Sequence, residues 1–190
     1  MGFLDSILGR SKPAKANLDD LFALPSAALT LQAGLGLLPT GLGSVCYKAA
    51  EGAAFTRTQT EIQELLDLAQ GPKVELSKDS FGYTWLLVRR DPSDISGLVT
   101  DLHAVNSSLQ DAGFGPSLLC SLVSFAHDDG RRLALVYLYK RGTFYPFVPL
   151  DGVQRRDNAL EIELQGALVD DVKIEPELNR WFPVWGAPGL

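Results

Sequence analysis

Histidine and cysteine are scarce in this chain, with two of each, and methionine occurs once. That scarcity excludes most metal centres, because a structural zinc draws four ligands from closely spaced His, Cys, Asp or Glu. Neither H-E-x-x-H nor C-x-x-C occurs, and we expect no metal and no cofactor. A membrane-crossing helix needs about 18 or more consecutive apolar residues, and no such run is present. The first residues lack the basic stretch and long apolar region of a secretory signal. Positive charge is short as well. With 17 Lys and Arg against 23 Asp and Glu, the net charge of −6 gives little to neutralise phosphates, so nucleic acid is not an expected partner. The nucleophile elbow G-x-S-x-G and the phosphate loop G-x-x-x-x-G-K-[ST] are both missing.

What remains is the composition of an ordinary folded protein. Hydrophobic residues make up 46% and charged residues 21% of the 190 positions. That is enough apolar material for a core and too little charge for disorder. We expect an amphipathic arm and linker over residues 1–16 and one domain over 17–190 that ends in an aromatic tail. Cys46 and Cys120 lie in apolar, strand-like surroundings, which reads as two buried thiols in a reducing compartment. The sequence also permits one disulfide. The cytoplasm is the default location.

Asn17 stands before Asp19 and Asp20 as a helix cap, and Pro25 restarts that helix over 27–32. The glycines of 34–43 predict a bend into a strand over 42–48. Phe55, Ile62, Leu65, Leu66 and Ala69 recur at helical spacing over 53–69, and Gly71-Pro72 stops them. Strands follow over 74–76 and 83–89. Ile95, Leu98, Val99, Leu102, Val105 and Leu109 form one stripe of a helix over 92–111. Strands over 118–126 and 133–140 flank the connector His127-Asp-Asp-Gly130. A third, over 143–148, is interrupted by Pro146. Leu160, Ile162 and Leu164 alternate with Glu161, Glu163 and Gln165, which predicts a strand with one wet face. Glu175-Pro176-Glu177 opens a last short helix. Short connections imply antiparallel pairing, so the expected class is α+β: helices packed on one face of a mostly antiparallel sheet.

Candidate chemistry is thin. His103 sits beside the apolar stripe as a hydrogen-bonded side chain, and His127 lies in a solvated turn. Cys120 with His103 or Cys46 with His127 could form a reactive dyad, the first being the better candidate, but burial raises a thiol's pKa and leaves it inert. Asn106, near the stripe, is expected to tie its helix to a neighbouring backbone. Asp170, Asp171, Glu175 and Glu177 read as a solvated acidic face.

The two ends are the most unusual stretches. Phe3, Leu4, Ile7 and Leu8 fall at helical spacing just before Lys12 and Lys15, and Trp181 and Trp185 lie within the last ten residues. Such ends read as segments that dock onto a partner or a membrane surface. The alternative for residues 1–10 is a terminus tucked against the core. Four apolar side chains at about 1.5–3 kcal/mol each, less the ordering cost, suit reversible docking. Gly2 and Ser6 also fit the short M-G-x-x-x-S acylation pattern, which arises often by accident. Lys140-Arg-Gly-Thr-Phe-Tyr-Pro-Phe147 mixes basic and aromatic residues. It approaches an RNA-binding strand signature but fails at Thr143 and Pro146. Lys140, Arg141, Phe144 and Tyr145 are nevertheless residue types used at protein interfaces. The expected partner-binding set is therefore Phe3, Leu4, Ile7, Leu8, Lys140, Arg141, Phe144, Tyr145, Trp181 and Trp185.

Several of these segments occur together in one family. Met1-Gly-Phe-Leu-Asp, Asn17-Leu-Asp-Asp-Leu-Phe-Ala-Leu-Pro25, Phe81-Gly-Tyr-Thr-Trp-Leu-Leu-Val-Arg-Arg90, Asp101-Leu-His-Ala-Val-Asn106, Leu138-Tyr-Lys-Arg-Gly-Thr-Phe-Tyr-Pro-Phe147 and the ending Arg180-Trp-Phe-Pro-Val-Trp-Gly-Ala-Pro-Gly-Leu190 resemble the PspA-associated family PspAB. The resemblance spans nearly the whole chain. It implies a bacterial, non-enzymatic accessory protein of the phage-shock (envelope-stress) response. Such a protein is cytoplasmic or peripheral at the inner membrane face, and its partner is PspA or a similar helical, membrane-associated protein. It implies no catalytic residue. The helix–sheet layout is also similar to type III secretion chaperones and YbjN-like proteins, which is a likeness of layout only. A peptide-binding chaperone, a small ligand-binding domain or cysteine-dependent enzyme, and a homodimer through a sheet edge are the other expectations to weigh.

Overall fold

A short 3-10 segment, Leu18–Ala23, runs straight into helix α1, Leu24–Leu35. The computed structural model describes residues 17–67 and 74–190. The expected arm over 1–16, and the Gly71-Pro72 stop signal, lie outside the described residues. Pro25 occupies the first turn of α1, where a missing N–H costs nothing, and Gly36 at φ 64° closes the helix. Then come β1 (Leu38–Tyr47), α2 (Ala53–Asp67), β2 (Glu75–Lys78), β3 (Thr84–Arg89), α3 (Ile95–Leu109), β4 (Leu118–Ala126), β5 (Arg132–Leu138), β6 (Thr143–Phe147) and α4 (Asn158–Leu168).

The six strands form one sheet in the order β2-β3-β1-β4-β5-β6, with every neighbouring pair antiparallel. The fold is α+β, as its sequence pattern implies. Alternate residues serve opposite faces. Val45, Tyr47, Val88, Val123, Phe125, Leu133, Leu135 and Phe144 join the cluster that the helices complete. Cys46, Trp85, Cys120, Leu122, Ala134, Val136, Tyr145 and Phe147 form a second cluster with residues of the C-terminal segment. Because both faces are covered, β4 and β5 read as nearly continuous apolar runs.

Helix α3 buries Leu98, Val99, Leu102, Val105 and Leu109. At about 1.5–3 kcal/mol per aliphatic side chain, this stripe outweighs its N-cap, worth about 1 kcal/mol. That cap is Asp94, whose carboxylate accepts from the Gly97 N–H at 2.9 Å, so the helix starts three residues later than Pro92 suggests. Asn106 donates to Ser121 Oγ of β4 at 2.8 Å and to the Leu102 carbonyl of its own helix at 2.7 Å. The tie to the sheet thus runs through a side chain, not a backbone group.

One expected element changes class. Residues 160–165 are helical, not extended. Asp157 caps α4 by accepting from the Leu160 N–H at 3.0 Å, and the buried positions Leu160, Glu161, Leu164 and Leu168 fall on one helical face. The alternation is a coincidence of six residues. Pro146 does not break β6 either. The Phe144 N–H donates outward, to the Lys173 carbonyl at 2.8 Å, and residue 146 faces the same way. Its missing N–H therefore costs the β5–β6 ladder nothing.

Candidate docking surface and C-terminal strap

The segment after α4 closes the outer edge of β6 and then crosses the outer face of the sheet. Ile174 pairs with Phe144 in a parallel bridge, and the Glu175 N–H donates to the Phe144 carbonyl at 2.7 Å. Beyond a 3-10 turn at Leu178–Arg180, the Trp181 ring stacks on Tyr145 at 6.0 Å and 23°, and Trp185 meets Phe147 edge-on at 4.8 Å. The Tyr145 hydroxyl donates to the Phe182 carbonyl at 2.7 Å. Farther on, Ser44 Oγ of β1 donates to the Pro188 carbonyl. Residues 174–190 are thus a strap from β6 across to β1.

Two buried carboxylates fasten this strap. Glu175 is fully buried, not part of a solvated face as the run of acidic residues suggests. It accepts from Thr143 Oγ1 at 2.7 Å, from the Glu177 N–H at 3.2 Å, and from Arg141 and Arg180 at 3.4 and 3.3 Å. Burial alone would raise its pKa. The hydrogen bonds from Thr143, Glu177 and Arg180 and the charge of Arg141 outweigh that, and the group titrates below the usual glutamate range. Glu161 goes the other way. Burial, the largest influence, pushes its pKa up, and bonds from Arg156 at 2.8 Å and the Val148 N–H at 2.8 Å offset it only in part.

A pH effect of definite sign follows from the Glu175 clasp. A carboxyl with a depressed folded-state pKa adds stability above its unfolded value, and that stability disappears as pH falls through the folded value. Glu175→Gln should therefore cost about 2 kcal/mol near neutrality, the scale of one or two charge-assisted hydrogen bonds. The deficit should shrink in acid. Urea denaturation of both proteins over the acidic range measures it, and a deficit independent of pH would contradict the charged clasp.

The residues expected to bind a partner fall in distinct places. Phe3, Leu4, Ile7 and Leu8 lie outside the described residues. Lys140 and Arg141 are exposed in the β5–β6 turn, although Arg141 also reaches Glu175. Phe144, Tyr145 and Trp181 are buried within the chain itself, and Trp185 is half-buried. Pattern reasoning did not single out several apolar residues that are exposed, among them Leu29 at 69%, Phe81 at 82% and Phe182 at 60%, and it placed Leu65, which is 55% exposed, on an apolar helical face. Burial on the helix stripes is what decides such cases, and short loops carry no periodicity to reveal it.

The start of the described chain bears on the basic turn. Tyr137 donates its hydroxyl proton to the Asn17 carbonyl at 3.0 Å, and the Asn17 nitrogen and the Asp20 carboxylate lie beside Gly142. Residue 17 is thus fixed next to Lys140 and Arg141. A shallow groove of about 160 Å³ runs elsewhere, between α2 and α3, lined by Thr58, Glu61, Ile62, Leu65, Ser108 and Ala112.

The reactive pairs are not brought together. Cys120 lies on the strap side of the sheet, whereas His103 is on α3, on the helix side. His103 bonds Asp19 Oδ1 through Nε2 at 3.1 Å and Ser107 Oγ through Nδ1 at 3.3 Å, and its ring packs on Phe22. This Ser–His–Asp series sits on an open surface, with the Asp19 side chain 76% exposed. His127 bonds Asp129 in the β4–β5 turn, away from Cys46. Among the described residues, no three His, Cys, Asp or Glu side chains gather as a metal set, and no helix is long and apolar enough to cross a membrane. With β6 covered, β2 is the sheet edge that no other described strand pairs with, four residues long from Glu75 to Lys78.

Comparison with curated proteins and with solved structures gives no match. A family model described as PspAB, PspA associated protein B, matches residues 1–189.

Proposed function

Since the chain belongs to the PspAB family, PspA associated protein B, we propose that it is a non-enzymatic accessory protein that binds PspA or a similar membrane-associated helical partner in the envelope-stress response. The location that goes with this is cytoplasmic, peripheral at the inner face of the membrane. The observation that carries the reading beyond the family is the position of Asn17, pinned beside the β5–β6 turn by Tyr137. Asn17, the first described residue, lies beside the turn that carries Lys140 and Arg141, which supports a surface shared by that turn and residues 1–16. An apolar arm bearing Phe3, Leu4, Ile7 and Leu8 and an adjoining basic turn together suit an amphipathic, acidic helix. Tyr145, Trp181 and Trp185 contribute from inside through their rings, and Phe144 through its backbone, by holding the strap whose Glu175 pairs with Arg141.

Co-sedimentation with purified PspA tests this. Deleting residues 1–10 should abolish binding while far-UV circular dichroism stays unchanged. Lys140→Glu should weaken binding about ten-fold, the effect of reversing one charge at an interface rim, and should reduce its salt sensitivity. Undiminished binding by the truncated chain would remove the arm from the interface. Undiminished binding by both variants would place the contact elsewhere.

A further inference from the structure

The two cysteines lie outside the set of residues proposed for docking. Cys46 on β1 and Cys120 on β4 are direct register partners in an antiparallel pair. Both side chains point to the strap side, into the cluster that holds Trp85, Tyr145, Trp181 and Val184. Opposite residues in such a ladder have Cα atoms about 4.5 or 5.5 Å apart, depending on the pair type. Either separation lies within the disulfide range of about 4.4–6.8 Å. Both cysteines are free thiols, 3% and 9% exposed. Their hydrogen bond to each other, and then burial, push the Cys46 thiol well up, so it stays protonated while covered.

We propose that Cys46 and Cys120 form a gated dithiol that closes to a cross-strand disulfide when the C-terminal strap lifts and a hydroperoxide enters. Cys120, the less covered of the two, reacts first. Its sulfur attacks the near peroxide oxygen, an S–O bond forms, the O–O bond breaks, and the leaving oxygen departs as alcohol or water with the thiol proton. Cys46 sulfur then attacks Cys120 sulfur. The S–S bond forms, the S–O bond breaks, and hydroxide leaves as water with the Cys46 proton. Two thiols are oxidised by two electrons in all, and one peroxide is reduced.

The gate is the strap, because Trp181, Val184 and Ala187 complete the buried cluster in which both cysteines lie. Trp181 and Val184 belong to the same buried cluster as both sulfurs, and they are held in place by the Glu175 clasp and the Tyr145 hydroxyl. Local opening of such a segment needs much less free energy than global unfolding, so it sets the rate at which the thiols meet an oxidant.

The full-length chain treated with tert-butyl hydroperoxide and read by intact mass and thiol counting tests the proposal. The expected product has lost two hydrogens, gained no oxygen and lost both thiols together. Glu175→Gln should reach it about ten-fold faster by raising the open population. Cys46→Ser should yield no disulfide and a dimedone-reactive sulfenic acid at Cys120. Should the Glu175 variant fail to fold, Tyr145→Phe, which removes one strap hydrogen bond, carries the same comparison. Separate oxygenation of the two cysteines would overturn the pair. Equal rates in the parent and the loosened chains would overturn the gate.

Discussion

Trp181→Ala is expected to lower the unfolding free energy by about 3–5 kcal/mol, the range for cutting a buried aromatic back to alanine. The residue is 5% exposed and contributes in three ways. Its ring stacks on Tyr145, its Nε1–H donates to the Glu175 carbonyl at 2.9 Å, and its own carbonyl receives the Arg156 guanidinium. The first two are lost outright. The third depends on the backbone staying where the ring holds it. Trp181→Phe separates the contributions, because it keeps most of the apolar area and leaves the Glu175 carbonyl without its donor, at about 1–3 kcal/mol. Urea denaturation followed by far-UV circular dichroism ranks the three proteins. Limited proteolysis should in addition cut the alanine variant within 176–190 before the rest of the chain. An alanine variant as stable as the parent, with an intact C-terminus, would mean that the strap is not anchored by this ring.

That strap is also where sequence reasoning and structure part company. A closing segment with two tryptophans, three prolines and two glycines carries neither a period of 2 nor one of 3.6. Pattern reasoning sees unpaired aromatics there and infers docking. The receiving surface is the second face of the sheet, which is equally invisible locally. Tyr145 and Phe147 look like edge-strand aromatics until the register shows them alternating with Phe144 on opposite faces. Where a long stripe exists, as in α3, the sequence suffices, since five buried positions over three turns admit one period only. Six residues do not suffice. At 160–165 the alternating pattern and the helical pattern share Leu160 and Leu164, and only Leu168 and the capping Asp157 decide between them. Buried charge is the hardest of all to read. Glu175 sits among acidic neighbours in sequence and among Thr143, Arg141 and Arg180 in space. The cysteine register is not legible from the strands themselves, because nothing in either strand alone says that β1 and β4 are neighbours.

The other large effect is expected at the Arg156–Glu161 pair. Glu161 is 3% exposed and Arg156 18%. The guanidinium lies 5.0 Å from the centre of the Phe147 ring and holds the Trp181 carbonyl as well as the carboxylate. Arg156→Ala leaves a buried carboxylate with the Val148 N–H and no cation. Breaking a buried pair from one side costs about 3–5 kcal/mol, more than the pair itself contributes relative to apolar replacements. The double change Arg156→Met with Glu161→Gln should therefore recover most of the loss, since glutamine can still accept from the Val148 N–H. The pH dependence identifies the cause. Glu161 already has a raised folded-state pKa, and losing the arginine raises it further. A raised carboxyl stabilises the fold below its unfolded value and loses that contribution as pH climbs through the folded value. The deficit of Arg156→Ala should thus be larger at about pH 8 than at about pH 5, whereas the double variant should show no such difference. Equal deficits at the two pH values would mean that the arginine acts through packing on Phe147 alone. A double variant as unstable as the single one would mean that the geometry, and not the unpaired charge, is what the strap requires.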